Sequence, residues 1–420
     1  MKEVAIIGAT LYGNRGAEAM LSATVGELGD RDPEIRFHVF SYYPAKDREL
    51  LTSDKVSIHS STPFYLVAVL TPMALVYRMA GLLRMGWLQR RLPESVLALA
   101  RCRVLVCLAG VSFIDGRTKF LPFNIATILP AMLLGVPVVK FAQAMGPFCQ
   151  RLNRMAARLF LAQCRQVFAR GEGTLLNLRE TFAACSFFQR ANDVAFLFRP
   201  EQSLSRQEVT VEPVLERLRQ TGRSKQLVGV CPSVVVARRR RAHGHDYAAE
   251  IARLVERLLA TGHGVVLFPN ATRGNDMDKE HNNDLPLLLK IRGKIANSSS
   301  DPLVVVGRSI NAAQVHSIIR ACEVVVTSRF HAMVGALATA TPVMVLGWSH
   351  KYLEVMELFG QADMVMDYAD AAPEMIAENV DALLTDLSRR RETIAGALPE
   401  VKRVARIQLD YLKRLIGQEA

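Results

Sequence analysis

The sequence predicts an α/β protein of two similar Rossmann-like domains facing each other across a cleft. Three observations predict it. Short apolar runs alternate with helix-like stretches along the chain. The alternation fades near the middle and then restarts. At 420 residues, half of them hydrophobic, the chain is also longer than one core comfortably serves.

In the first half, Val4–Gly8, Ile35–Phe40, Val104–Leu108 and Val136–Phe141 read as buried strands. Apolar runs bounded by Gly, Pro or charge fit a parallel sheet covered on both faces. Ala17–Leu28 and Asn153–Cys164 read as helices between them. Between about Phe198 and Gln226 the chain turns polar and charged, as a linker would. Strand candidates then resume at Leu227–Val230, Gly264–Phe268, Leu303–Val306, Val324–Thr327 and Val343–Leu346, with helices such as Tyr247–Ala260 and Ala312–Ala321. The expected layout is an N-terminal α/β domain over 1–200, a linker over 201–226, a C-terminal α/β domain over 227–375 and a charged, amphipathic helical region over 376–420 that packs back across both halves.

The seven cysteines include no CxxC pair, which fits reduced thiols in a cytoplasmic protein. The opening Met1–Gly8 is too short for a signal-peptide core and reads as the first strand, so the chain is not expected to be secreted. The formal charge of +12 favours anionic partners such as a membrane surface or phosphorylated substrates, or else serves solubility. No nucleic-acid module is recognisable, so no nucleic-acid partner is expected. Phe64–Trp87 is almost uninterruptedly apolar, broken by Arg78 and Arg84. It reads as a buried helical hairpin or as an amphipathic helix docking peripherally on a membrane; Pro72 and the two arginines weaken a transmembrane reading.

Two segments carry candidate chemistry. Gly8–Glu18 follows the first strand, where open α/β sheets bind ligands. Gly13 and Gly16 permit a close backbone approach, the next helix N-terminus favours an anion, and Asn14 and Glu18 bring polar groups. The spacing is not GxGxxG, so no dinucleotide cofactor is inferred. Ser328–Met333 follows the strand Val324–Thr327. There Arg329 offers a planar fork for carboxylate or phosphate, and His331 can exchange a proton near neutral pH. Arg238–Arg241 reads as a solvated face, or else as a cradle for the diphosphate of a lipid carrier or for anionic head groups. Asp276, Asp278 and Asp284 lack EF-hand spacing and read as a solvated loop, so no metal is expected.

Taken in order, Gly13–Glu18, Gly110–Asp115, Gln143–Pro147, Ala169-Arg170, Asp193–Phe196 and Ser328–His331 resemble the polysaccharide pyruvyltransferase family over most of the chain. The pattern departs at Ala109-Gly110, where paired glycines are expected, and at Gly171-Glu172, where an acidic pair is expected. The resemblance implies a fold similar to the two-domain glycosyltransferase B (GT-B) type. It implies phosphoenolpyruvate as donor, a sugar acceptor, often lipid-linked, and no cofactor. Arg329, Arg170 and Lys351 then fall to donor binding, and Asn14, Arg15, Asp115 and Gln143 to acceptor binding. His331 falls to acid/base catalysis, with Glu18 or Asp193 receiving the acceptor proton. Two rivals stay open: a GT-B glycosyltransferase using a nucleotide sugar, and a non-catalytic, membrane-associated polysaccharide assembly protein.

Overall fold

The computed structural model describes residues 2–182, 187–206, 210–213, 215–216, 226–296, 302–347 and 350–417. The chain divides into two compact units. The first comprises Met1–Leu11, Met20–Phe198 and Lys402–Ala420, and the second comprises Tyr12–Ala19 and Arg199–Val401.

In the first unit the strands are β1 (Lys2–Ile7), β2 (Ile35–Ser41), β3 (Val56–Ser60), β4 (Val104–Cys107), β5 (Val111–Ile114), β6 (Val138–Gly146), β7 (Gln166–Arg170) and β8 (Phe188–Ala191). They form a parallel sheet in the order β3-β2-β1-β4-β6-β7-β8, with β5 paired to β6. In the second unit β9 (Leu227–Cys231), β10 (Gly264–Leu267), β11 (Leu303–Val305), β12 (Val324–Thr327), β13 (Val343–Gly347) and β14 (Val365–Asp367) form a parallel sheet ordered β11-β10-β9-β12-β13-β14. Each order is doubly wound, with the direction of winding reversing beside the unit's first strand. Both units are therefore Rossmann-type.

Strands β9, β10, β12 and β13 are buried throughout, and their Val-rich sequences follow from helices covering both faces. Strands β3, β8 and β14 lie at sheet edges and carry polar residues in short runs. Pro137 lacks an N–H and Gly135 ends the preceding helix in the left-handed conformation, so β6 starts at Val138 rather than Val136. It then runs on through Gln143 to Gly146.

The linker expected over 201–226 is described only in part; residues 207–209, 214 and 217–225 lie outside the described residues, as do Trp348 and Ser349. The C-terminal region forms the helices Pro373–Thr385 and Leu387–Gly417. From Lys402 the longer helix belongs to the first unit. There Gln408, fully buried, accepts from Ala142 N at 2.9 Å and donates to Asn192 O at 2.8 Å.

Phe64–Trp87 is helical but is not a buried hairpin. Leu66, Leu70, Ala74 and Ala80 turn inward, while Phe64, Val67, Leu75, Met79, Leu82, Leu83 and Trp87 are exposed. Pro63–Leu82 is long and apolar enough to cross a membrane by length and composition, and only 22% of its apolar window is buried.

Candidate active site

The second unit builds a cluster around the end of β12, beside β9, where winding reverses. Thr327 Oγ1 donates to Cys231 O at 3.0 Å and accepts from Arg329 N at 2.9 Å. Ser328 N donates to Cys231 O at 3.1 Å, and Ser328 Oγ lies 2.7 Å from the Tyr247 hydroxyl. Burial pushes the Tyr247 phenol well above its usual pKa, so it keeps its proton. Tyr352 donates to Ser328 O at 3.3 Å. The turn is thus fixed before it presents Arg329, the cap of the helix Phe330–Ala338.

Arg329 donates from Nη1 to Asn282 Oδ1 at 3.0 Å and from Nη2 to Asp284 Oδ1. Its Nε is buried with no hydrogen-bond partner among the described residues. Burial works against the guanidinium charge, but the charge and hydrogen bond of Asp284 more than offset it, and the pKa moves up. Asp284 is fully buried, which corrects the expectation of a solvated loop. Its Oδ1 also accepts from Val234 N at 3.2 Å, and its Oδ2 accepts from Ala271 N at 2.9 Å and Asn270 N at 3.3 Å. One carboxylate therefore braces two segments, at Val234 and at Asn270-Ala271, and the arginine. Sequence reading misses this role, because nothing local marks Asp284 apart from the exposed Asp278.

His331 meets the Gly-rich segment. Residues Tyr12–Ala19 belong to the second unit, where Asn14 bridges Ala271, Arg15 N donates to Asn270 O at 3.1 Å and Thr272 N donates to Gly13 O at 2.9 Å. Asn14 Oδ1 caps the helix Arg15–Gly29 by accepting from Gly16 N at 3.0 Å. A Cβ on Gly16 would sit 2.0 Å from His331 Cγ and 2.1 Å from Nδ1. Only glycine lets the imidazole lie there. Gly13 has φ +95°, and a Cβ on it would meet the Arg273 guanidinium at 2.3 Å. Two helix N-termini, those of Arg15–Gly29 and Phe330–Ala338, thus come together at His331, and each carries partial positive charge.

Glu18 is fully buried, paired with Arg15 at 2.8 Å and accepting from Ser205 Oγ. Lys351 Nζ lies 4.6 Å from the Phe330 ring centre and 5.4 Å from that of Tyr352, a cation–π arrangement one residue from His331. Within Arg238–Arg241, Arg240 is buried against Glu250 at 2.6 Å, while the other three are exposed. Neither of the two expected readings of that run covers a buried ion pair.

The remaining expected residues lie in the first unit. Arg170, the last residue of β7, donates to Asp193 Oδ2 and to Gly110 O, both at 2.9 Å. Asp193 Oδ1 accepts from Ala195 N at 3.0 Å. Asp115 accepts from Cys149 N at 2.6 Å, Gln150 N at 3.1 Å and Asn153 Nδ2 at 2.7 Å, holding the start of the helix Arg151–Leu161. Gln143 is fully buried, donating to Cys107 O and accepting from Ser112 Oγ, both at 2.7 Å. The structure therefore brings Asn14, Arg15, Glu18, Arg329, His331 and Lys351 into one unit, and Asp115, Gln143, Arg170 and Asp193 into the other.

Two doubly wound units define a GT-B-like protein, and solved structures agree. The MnaA–UDP structure from S. aureus matches with a TM-score of 0.61 at 12% identity, covering 100% of this chain and 99% of that one. A ugt transferase of Siraitia grosvenorii in complex with UDP matches with a TM-score of 0.56 at 13% identity, covering 100% of both. At such identities the likeness is one of fold. The polysaccharide pyruvyl transferase family matches over residues 14–350, and the chain belongs to that family of transferases. The amylovoran biosynthesis protein AmsJ of Erwinia amylovora is 19% identical over 98% of this chain and 100% of its own length.

Proposed function

We propose that the protein moves a pyruvyl group from phosphoenolpyruvate to a sugar of a lipid-linked polysaccharide precursor, at the cytoplasmic face of the cell membrane. The observation that carries this reading is the seat of His331 against Gly16, beside Arg329 and between two helix N-termini. A small dianionic or trianionic donor suits such a concentration of positive potential. Arg329 Nη1, now on Asn282, is the donor available to carboxylate or phosphate, while Nη2 stays on Asp284.

In the proposed reaction a proton adds to the methylene carbon of phosphoenolpyruvate, and C2 becomes electron-poor. One sugar hydroxyl adds there and releases its proton. A second hydroxyl then displaces inorganic phosphate and loses its proton, closing the cyclic ketal. His331 is the proposed proton carrier. Glu18 and Asp193 are paired with buried Arg15 and Arg170, and we assign them to orienting these arginines rather than to receiving the acceptor proton. Lys351 supports the donor charge, and Asp115 and Gln143 shape the first unit's strand ends through their bonds.

The test is phosphate release from phosphoenolpyruvate with a panel of lipid-linked oligosaccharides, run beside nucleotide sugars. Release that requires both phosphoenolpyruvate and an acceptor is expected. Turnover of a nucleotide sugar alone would replace this reading.

A further inference from the structure

The first unit carries an apolar groove that the proposed reaction leaves unused. Its volume is about 520 Å³, and Val67, Leu121, Leu129, Leu152, Met155 and Leu159 line it. Met155 and Leu159 are 64% and 57% exposed, and Leu152 is 53% exposed. Beside it runs Pro63–Leu82, whose outward apolar side chains include Phe64 at 77% and Leu82 at 70% exposure. Water-facing apolar surface on this scale marks an interaction site.

Charge identifies the occupant. Residues 63–165 hold thirteen lysines and arginines against two acids, Glu94 and Asp115, and so account for nearly all of the formal +12. On the helix Arg151–Leu161, exposed Arg151, Arg154 and Arg158 form a stripe at i, i+3, i+7 spacing beside Leu152, Met155 and Leu159. Arg91 sits 5.6 Å over the Trp87 ring and Lys119 sits 5.1 Å over the Phe120 ring. Apolar crests edged by cations and aromatic rings match the interface of an anionic bilayer.

We propose that this face docks on an anionic membrane, with the groove taking a lipid hydrocarbon chain. The inference deepens the reading of a lipid-linked acceptor and rests on it for its purpose. Its test is separate: flotation of the purified full chain with phosphatidylcholine vesicles, with and without phosphatidylglycerol. Binding is expected only with the anionic lipid and should fall as salt rises. Arg151→Gln and Arg154→Gln should each weaken it about fivefold. Met155→Glu with Leu159→Glu, at exposed positions, should weaken it about tenfold or more. In a Trp348→Phe chain, brominated lipid chains should quench Trp87. Failure to float at low salt would overturn the proposal, as would unchanged binding of the double glutamate variant. A dimer in solution that this variant splits, with vesicle binding unaltered, would assign the face to a second copy instead. Vesicle binding without any phosphate release would leave docking intact and refute the reaction. Activity on a detergent-solubilised acceptor without flotation would do the reverse.

Discussion

Arg170 and Arg329 invite comparison. Each stands at the carboxyl end of a parallel strand, each is mostly buried, and each is paired with a buried aspartate. Yet the surroundings differ. Arg170 links Asp193 to Gly110 O, and Asp193 spends its other oxygen on Ala195 N, so the pair ties strand ends together. Arg329 keeps a buried Nε without a partner among the described residues, and two residues on is a histidine ring resting on a glycine. One residue type at one kind of address thus ties strand ends together in the first unit and lies beside the proposed proton carrier in the second. Burial and pairing alone do not tell the two apart; what the arginine leaves unbonded, and what lies beside it, does.

Substitution separates them at once. His331→Ala should lower turnover roughly 100- to 10,000-fold, the usual cost of losing a positioned acid or base. His331→Gln can hydrogen-bond but not titrate, so it should keep donor affinity better than turnover. A Gln variant with near-native turnover would end the acid/base role. Asp193→Ala should instead cost about 3–5 kcal/mol of stability, because it removes the carboxylate paired with the buried Arg170; urea unfolding measures this. A stable Asp193→Ala protein with lost turnover would put the first unit's pair into the chemistry and dissolve the comparison.

A smaller effect sharpens the second unit. Arg329→Lys keeps a charge but loses the fork, and should weaken donor use about 10- to 100-fold, the worth of one charge-assisted hydrogen bond. Gly16→Ala should act through His331, since the new methyl must displace the ring. It should lower turnover with little change in melting temperature. If its turnover is unchanged, the ring's seat on Gly16 has no part in the reaction.

The contrast also shows what the sequence makes legible. Strands buried on both faces announce themselves, and β12 falls on the expected Val324–Thr327. Edge strands such as β8, with its Gln189 and Arg190, lose that signal because one side is not covered by a neighbour. At the site, Arg329 and His331 stand out because their types and spacing suit an anion and a proton. Their partners do not: Asp284, Asn282 and Gly16 reach them only through the fold, and Asp284 sits in a stretch otherwise polar and partly exposed. The segment around Gly16 is legible as a tight turn, but its reason, a ring far along the chain, is not.

The first unit also responds to pH. An acid limb in the rate would be taken as support for His331 as proton carrier, yet the first unit holds its own acid-sensitive pair. His38 Nδ1 lies 3.0 Å from His59 Nε2, on adjacent strands β2 and β3. Burial, with the neighbouring His38 adding to it, lowers the His59 pKa from the usual 6.5 to about 4. His38 is also shifted down, chiefly by burial and against the pull of Glu3. A histidine lowered in the folded state binds protons better when unfolded, so its stabilisation is complete above pH 6.5 and is lost as pH falls toward 4. Discounted for partial exposure, the loss is about 1–2 kcal/mol. His59→Gln should therefore flatten the fall in melting temperature between pH 6.5 and 4 while leaving the acid limb of the rate, measured on folded protein, in place. If that limb disappears together with the stability loss, the pH dependence belongs to the fold of the first unit and lends nothing to His331 as proton carrier.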